Sequence, residues 1–84
     1  MDIIRDERTT TSCSSTQHRL FVTDGKRNYA ISFIAFAYDT RRPECMAFRC
    51  DSKLNVRNWR EVAVSYEADE GEAISDVLRQ LQGL

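Results

Sequence analysis

The sequence predicts a small α+β domain: an antiparallel sheet of three to four strands in meander order, with one C-terminal α-helix packed on one face. Short runs of β-forming residues alternate with turn residues through the middle of the chain. Asp24-Gly25 lies between two such runs, which is a strong hairpin signal. The C-terminal residues repeat apolar side chains at helical spacing. With 84 residues, 42% of them hydrophobic and 30% charged, the chain fits a single globular domain.

We expect residues 1–17 to be a flexible polar tail and residues 18–84 to be the folded domain. Residues 9–16 are a polar, low-complexity run with nothing to bury. Ile3-Ile4 could add a short strand or an anchor, but chain ends are poorly ordered unless something ties them down. The start of the chain does not look like a secretory signal, and the longest uncharged run, residues 28–38, is too short to cross a membrane. We therefore expect a cytoplasmic protein without membrane contact.

The first hairpin is predicted at Asp24-Gly25, directly after the β-forming residues 20–23. A type I′ turn needs positive φ at both central residues, which this pair tolerates. A two-residue loop would pair Thr23 with Lys26 and Leu20 with Tyr29. On that register one face carries large apolar residues, namely Leu20, Val22, Tyr29, Ile31 and Phe33. Phe21 lies on the other face.

The second strand, residues 29–38, is apolar on both faces. Its bulky side switches at Phe33-Ile34, which indicates a β-bulge, a strong twist or a strand covered on both sides. We favour a central strand whose second face meets something other than the helix. The tail or a second copy of the chain could supply that cover.

The remaining strands are shorter. Residues 39–44 contain the only proline and are predicted as a turn, followed by a third strand over residues 45–50. Residues 54–59 are either a loop or a short edge strand with Leu54 and Val56 facing inward. Residues 61–66 alternate as a strand, with their large side chains on one face: Val62, Val64 and Tyr66.

The C-terminal helix has the clearest pattern in the sequence. One apolar stripe follows the spacing i, i+3, i+4, i+7, and its members are Ile74, Val77, Leu78 and Leu81. Asp69 is the predicted N-cap, with Glu72 at the third helical position, and Gly83 is placed to end the helix. A helix this short is marginal in water, so the stripe must dock on the sheet.

The sequence predicts no catalytic, cofactor-binding or metal-binding residues. The three cysteines, Cys13, Cys45 and Cys50, are an odd number without a C-x-x-C spacing, so we expect free thiols. His18 is the only histidine and is expected to be structural or on the surface. The carboxylates near the helix start are typical of helix N-termini and lack the pattern of a calcium loop. We therefore expect a non-enzymatic protein.

A protein-interaction module, self-associating through a sheet face or edge, is the first functional hypothesis. A single short helix cannot cover both faces of a sheet whose long strand is apolar on both sides, and exposed apolar patches mark interaction sites. Short chains with thin cores also gain stability by forming oligomers. The candidate partner surface consists of Phe21, Ile34, Phe36 and Tyr38.

Binding of single-stranded nucleic acid is the alternative. Arginines flank the only tryptophan, and two more lie on a turn; the candidate surface is Arg41, Arg42, Arg57, Trp59 and Arg60. Arginine contacts phosphates, and an exposed aromatic ring stacks on bases. The net charge of −1 separates into 11 basic and 7 acidic residues over 1–60 against 1 basic and 6 acidic residues over 61–84. The acidic helix would therefore repel a phosphate backbone unless it faces away from the binding surface.

Overall fold

The computed structural model describes residues 1–10, 15–36 and 43–84. Within them the elements are β1 (Asp2–Thr10), β2 (Thr16–Thr23), β3 (Asn28–Ala35), β4 (Glu44–Cys50), β5 (Ala63–Ser65) and α1 (Glu70–Gln82). The strands form one antiparallel sheet in the order β1-β2-β3-β4-β5, and α1 contacts β3, β4 and β5. The predicted α+β class, meander order and C-terminal helix are confirmed. The described part of the sheet has five strands, however, rather than three to four.

The strand that the sequence prediction missed is β1. Residues 2–10, which were expected to belong to a flexible tail, pair with β2 from Asp2 opposite Thr23 to Thr10 opposite Thr16. Its side chains are almost all exposed, so β1 is joined to the sheet by backbone hydrogen bonds more than by burial. That is why hydrophobic patterning did not reveal it. The register shifts between Ile3 and Arg5, and such a shift, together with charged side chains, blunts an exposed sheet edge.

The β2–β3 hairpin has a four-residue loop instead of the predicted two-residue loop. The backbone N–H of Asp24 donates to the carbonyl of Arg27 at 3.1 Å. The Asp24 carboxylate accepts the backbone N–H groups of Lys26 at 2.9 Å and Arg27 at 2.6 Å. These bonds lower the pKa of Asp24, with the Arg27 N–H contributing most and the Lys26 N–H next. Gly25 supplies the positive φ of 95° that the loop requires.

The longer loop corrects the predicted register. Thr23 pairs with Asn28 and Leu20 with Ile31, so each β2 residue meets a β3 residue two positions beyond the predicted one. The predicted face of Leu20 remains correct, because side chains alternate with period two and a shift of two preserves the face. Phe21 accordingly lies opposite Ala30, whereas the predicted register would pair it with Asn28.

The sheet face that α1 covers, here called the helix face, carries the hydrophobic core. Its buried members are Leu20, Val22, Tyr29, Ile31, Phe33, Cys45, Ala47 and Ala63, which cluster with Ala73, Val77 and Leu81 of the helix. The helix stripe is thus centred on Val77 and Leu81, while Ile74 and Leu78 are only half-buried. On β5, small Ala63 and Ser65 are buried, and Tyr66 is 83% exposed. Of the large residues of 61–66, Val62 is half-buried and packs against this core, and Tyr66 does not.

The ends of α1 agree with the sequence. The Asp69 side chain accepts the backbone N–H of Glu72 at 3.0 Å, as predicted for the N-cap. Gly83 is the C-cap residue.

Strand β3 is the centre of the sheet and is largely buried on both faces. Its pairing with β2 and β4 continues in register through Phe33 and Ile34. The switch in bulky side is therefore explained by two-sided cover rather than by a bulge. Residues 51–62, the β4–β5 connection, supply part of that second cover: Val56 bridges to Cys50, and Trp59 contacts Phe48. Residues 54–59 accordingly form a loop with one isolated bridge.

Candidate binding face

The sheet face opposite the helix, here called the open face, contains a shallow apolar groove. The groove has a volume of about 230 Å³, and its lining residues are Gln17, Arg19, Ala30, Ser32, Ile34, Met46, Phe48, Val56 and Trp59. Strand alternation explains this set, because every second residue of β2, β3 and β4 points away from α1. The groove therefore lies between the open face of the sheet and the β4–β5 connection.

Trp59 forms one wall of this groove and is 67% exposed. Its ring meets Phe48 in an edge-to-face contact, with centroids 5.3 Å apart and an interplanar angle of 70°. Phe48 is only 7% exposed, so Trp59 shields it while leaving most of its own ring in solvent. In a domain this small, a tryptophan is expected in or beside the core. Its exposure beside an apolar groove makes this surface a candidate binding site.

Asp51 organises the connection that carries Trp59. Its Oδ1 accepts the backbone N–H groups of Lys53 and Asn55, each at 2.9 Å. Its Oδ2 accepts Nε–H of Arg57 at 3.2 Å. The Asn55 N–H contributes most to lowering the pKa of Asp51, followed by the Lys53 N–H and Arg57. This carboxylate therefore stays ionised and orients the Arg57 side chain.

A strained residue follows in the same turn. Leu54 has φ of 66°, the left-handed region, and its N–H donates to the Asp51 carbonyl at 3.0 Å. This conformation costs a side chain such as leucine about 1–2 kcal/mol. The turn is therefore maintained against local preference by the Asp51 hydrogen bonds.

A second cavity, here called the arginine cavity, lies on the other side of the β4–β5 connection. Its volume is about 470 Å³, and it is lined by Arg49, Cys50, Asp51, Arg57, Asn58, Arg60 and Val62. Three arginines thus surround it, against one carboxylate. Among the described residues Asp51 pairs with Arg57, and neither Arg49 nor Arg60 has an ion pair. This cavity carries an excess of positive charge.

The structure brings together only part of the predicted site residues. Arg57, Trp59 and Arg60 are exposed on the β4–β5 connection. Of the predicted partner surface, Ile34 lines the groove, Phe36 is half-buried, and Phe21 is 5% exposed. Three predicted residues lie outside the described part of the chain: Tyr38, Arg41 and Arg42.

Sequence reasoning missed several groove and cavity residues. Met46 and Phe48 belong to the predicted third strand, but nothing in the sequence indicated that Trp59 would line a groove with them. Arg49 was not singled out either, because its role depends on where the long connection returns. Arg19, which lines the groove, carried no motif that could have marked it.

His18 lies between two carboxylates on the helix face. Its Nε2 is 2.5 Å from Asp6 Oδ1, and its Nδ1 is 2.6 Å from Glu70 Oε1. Arg8 Nη2 donates to the same Glu70 oxygen at 3.0 Å. His18 therefore links β1, β2 and the start of α1.

The two described cysteines are free and poorly reactive. Burial, with help from Asp76 and Glu70, raises the pKa of Cys45 to about 11. Burial and the neighbouring Asp51 also raise the pKa of Cys50. The two thiols lie on opposite faces of β4, because an odd number of positions separates them on one strand. Thiolate, the nucleophilic form, is therefore scarce at neutral pH.

The acidic residues near α1 lie away from the groove. Glu67, Asp69 and Glu72 line a surface of the helix start, with Asp76 one turn further along. The helix contacts the sheet through the helix face, and Trp59 lies on the open face. The sheet thus separates the acidic helix from the exposed tryptophan.

Comparison with known proteins gives no relative: no protein-family model matches the chain, and neither the curated proteins nor the solved structures contain a match. Within residues 1–10, 15–36 and 43–84, no three His, Cys, Asp or Glu side chains are grouped to hold a metal ion. No helix in those same ranges is long and apolar enough to span a bilayer. The open face and the arginine cavity are thus the surfaces from which a function can be inferred.

Proposed function

We propose that the protein binds single-stranded nucleic acid across its open face, with Trp59 as the stacking platform. The observation that carries this proposal is the separation of charge by the sheet. The acidic residues of α1 lie on the helix side, whereas Trp59 and Arg19 line the groove on the other side. The electrostatic objection raised by the net charge of −1 therefore does not apply to the open face.

The chemistry of the groove fits a base. Trp59 offers an exposed ring, and stacking of one base on an aromatic side chain is worth about 1–3 kcal/mol. Phe48 supports the ring from one side, and Ile34 and Met46 give the groove an apolar floor. Such a surface tolerates any base, because every base presents a π-face. We infer binding with little sequence preference.

The positive charges around the groove suit the phosphate backbone of a nucleic-acid strand. Arg19 lines the groove, and Arg57 and Arg60 flank Trp59 on an exposed segment. Contacts between arginine and phosphate release counterions, so the affinity should fall steeply as salt rises.

Fluorescence of Trp59, the only tryptophan, provides a direct test with an oligothymidylate of about 12 nucleotides at low salt. We expect the strand to quench Trp59 fluorescence when it binds. Because Trp59→Ala lacks this signal, its affinity is measured by the anisotropy of a labelled strand, and we expect a dissociation constant about tenfold higher. Tyr66→Ala is the matched control, because Tyr66 is 83% exposed but does not line the groove. Absence of binding at low salt, or equal losses in both variants, would rule the proposal out.

Self-association is the second candidate function. It is favoured by one observation: the edge strand β1 exposes two large apolar residues, Ile3 and Ile4. Two copies could join there as one continuous sheet or meet through their open faces. We expect light scattering to show a dimer that Ile3→Lys weakens if the edge is used and Trp59→Ala weakens if the face is used. A monomer at all concentrations would eliminate this candidate.

A further inference from the structure

The arginine cavity has the size and charge of an anion site. Its volume of about 470 Å³ falls within the range of small-ligand sites. Arg49 enters it from the end of β4, and Arg57 and Arg60 enter it from the β4–β5 connection. Within the described ranges Asp51 is the only carboxylate of the lining, and it neutralises one of the three guanidinium groups, so two positive charges are available to a ligand.

The arginines also have free hydrogen-bond donors. Asp51 accepts from Nε of Arg57, which leaves that side chain's two terminal nitrogens for another acceptor. Arg49 and Arg60 form no ion pair with any residue in the described ranges. Guanidinium groups bind phosphate oxygens through two parallel hydrogen bonds, which makes arginine the preferred residue for phosphate recognition.

The position of this cavity beside Trp59 indicates which class of phosphate compound would bind there. Asn58, Arg60 and Val62 line the arginine cavity, whereas Trp59 lines the apolar groove. Residues 58–62 therefore lie between the two cavities. Trp59 and Arg60 are adjacent, with Cα atoms about 3.8 Å apart. A base on Trp59 and a phosphate in the cavity are therefore within reach of one another.

From this arrangement we propose that the arginine cavity binds a phosphate group, namely the phosphodiester of a strand whose base stacks on Trp59. The proposal rests on the proposed function, since it names the backbone subsite of the same binding surface. Free phosphate compounds share the chemistry of the diester, so the test must separate the two sources.

The experiment measures two ligands against the same variants. One ligand is pyrophosphate, which has phosphate but no base, measured by calorimetry or by the Nε–H resonances of the arginines. The other is the oligothymidylate. The variants are Arg49→Gln and Arg60→Gln, both at exposed positions, with Arg79→Gln on the helix as the matched control. Circular dichroism and the thermal midpoint verify that each variant is folded.

We expect Arg49→Gln and Arg60→Gln each to weaken oligothymidylate binding about tenfold, as loss of a charge-assisted hydrogen bond does. Each should also reduce the steepness of log affinity against log salt by about one. Arg79→Gln should change neither the affinity nor this salt dependence.

If pyrophosphate binds and these two variants abolish its binding while the oligonucleotide fails to bind, the phosphate site is real and the proposed function is wrong. If the oligonucleotide binds and the cavity variants behave like Arg79→Gln, the phosphate site is overturned and the Trp59 platform remains. If neither ligand binds, both proposals fail.

Discussion

The two faces of the sheet come from the same strands but serve different ends. On the helix face, α1 seals the core so closely that Ala73 and Val77 have no exposed surface, and β5 contributes only small Ala63 and Ser65. On the open face, the cover is a twelve-residue connection of irregular chain, residues 51–62, which leaves a groove beneath it. Regular structure covers one face completely, and a loop covers the other in part. Stability should therefore depend mainly on the helix face and binding on the open face.

The sharpest test of this contrast truncates one residue on each face. Leu81→Ala removes a side chain that is 2% exposed on the helix face, and we expect it to lower the free energy of unfolding by about 2–5 kcal/mol. Met46→Ala removes a half-buried side chain from the open face, and we expect a loss of about 1 kcal/mol or less. Urea unfolding gives both values. Equal losses would contradict the division of roles between the faces.

Tyr29 tests how complete the packing of the helix face is. Its side chain is fully buried there, and its hydroxyl has no hydrogen-bond partner among the described residues. A buried unsatisfied hydroxyl costs about 1–3 kcal/mol, so Tyr29→Phe should raise the free energy of unfolding by about 1 kcal/mol. Chemical unfolding at neutral pH measures the change. A clear loss of stability would mean that the hydroxyl is bonded and that the core contains a polar contact.

Asp51 offers a smaller, pH-dependent effect confined to the open face. Because its folded-state pKa is lowered below 3.8 by the backbone N–H groups of Asn55 and Lys53, it stabilises the fold above that pH. The contribution disappears as pH falls through the lowered pKa. Asp51→Ala should thus lower the thermal midpoint at pH 7, and the difference from the unchanged protein should shrink below about pH 4.

The neighbouring substitution Ser52→Ala is the control for this measurement, because Ser52 is exposed in the same turn. A difference that stays constant from neutral to acid pH would mean that the Asp51 hydrogen bonds do not depend on its charge.

The parts of the fold that depend on neighbours in sequence could be predicted. Asp69, Glu72 and the helix stripe are separated by one to three turns, and their spacing alone identifies α1 and its N-cap. The face of each residue in the first hairpin was also predictable, because alternation survives a shift of two. The register itself was not, since the Asp24 carboxylate binds two backbone N–H groups and so selects a longer loop.

Features that depend on distant parts of the chain could not be predicted in the same way. Strand β1 has almost no buried side chains, so its pairing with β2 left no hydrophobic pattern. The exposure of Trp59 depends on the path of the β4–β5 connection across the open face, and composition places a lone tryptophan in the core instead. Arg49 lines the arginine cavity only because the β4–β5 connection returns past the end of β4. The candidate binding surface combines residues of β2, β3 and β4 with a connection whose course is not encoded in local periodicity.

The central claim is that the strand binds the open face and not the helix face. It is tested most directly by following the chemical shifts of the backbone amide and Trp59 indole N–H resonances during titration with oligothymidylate, because these shifts report on both faces at once. The two-face account predicts shifts at the Trp59 indole, Ser32 and Met46 on the open face, with Arg57 and Arg60 also affected. It predicts no shifts at Glu72 or Arg79 on the helix. Shifts concentrated on α1 or on β1, with Trp59 unchanged, would contradict it.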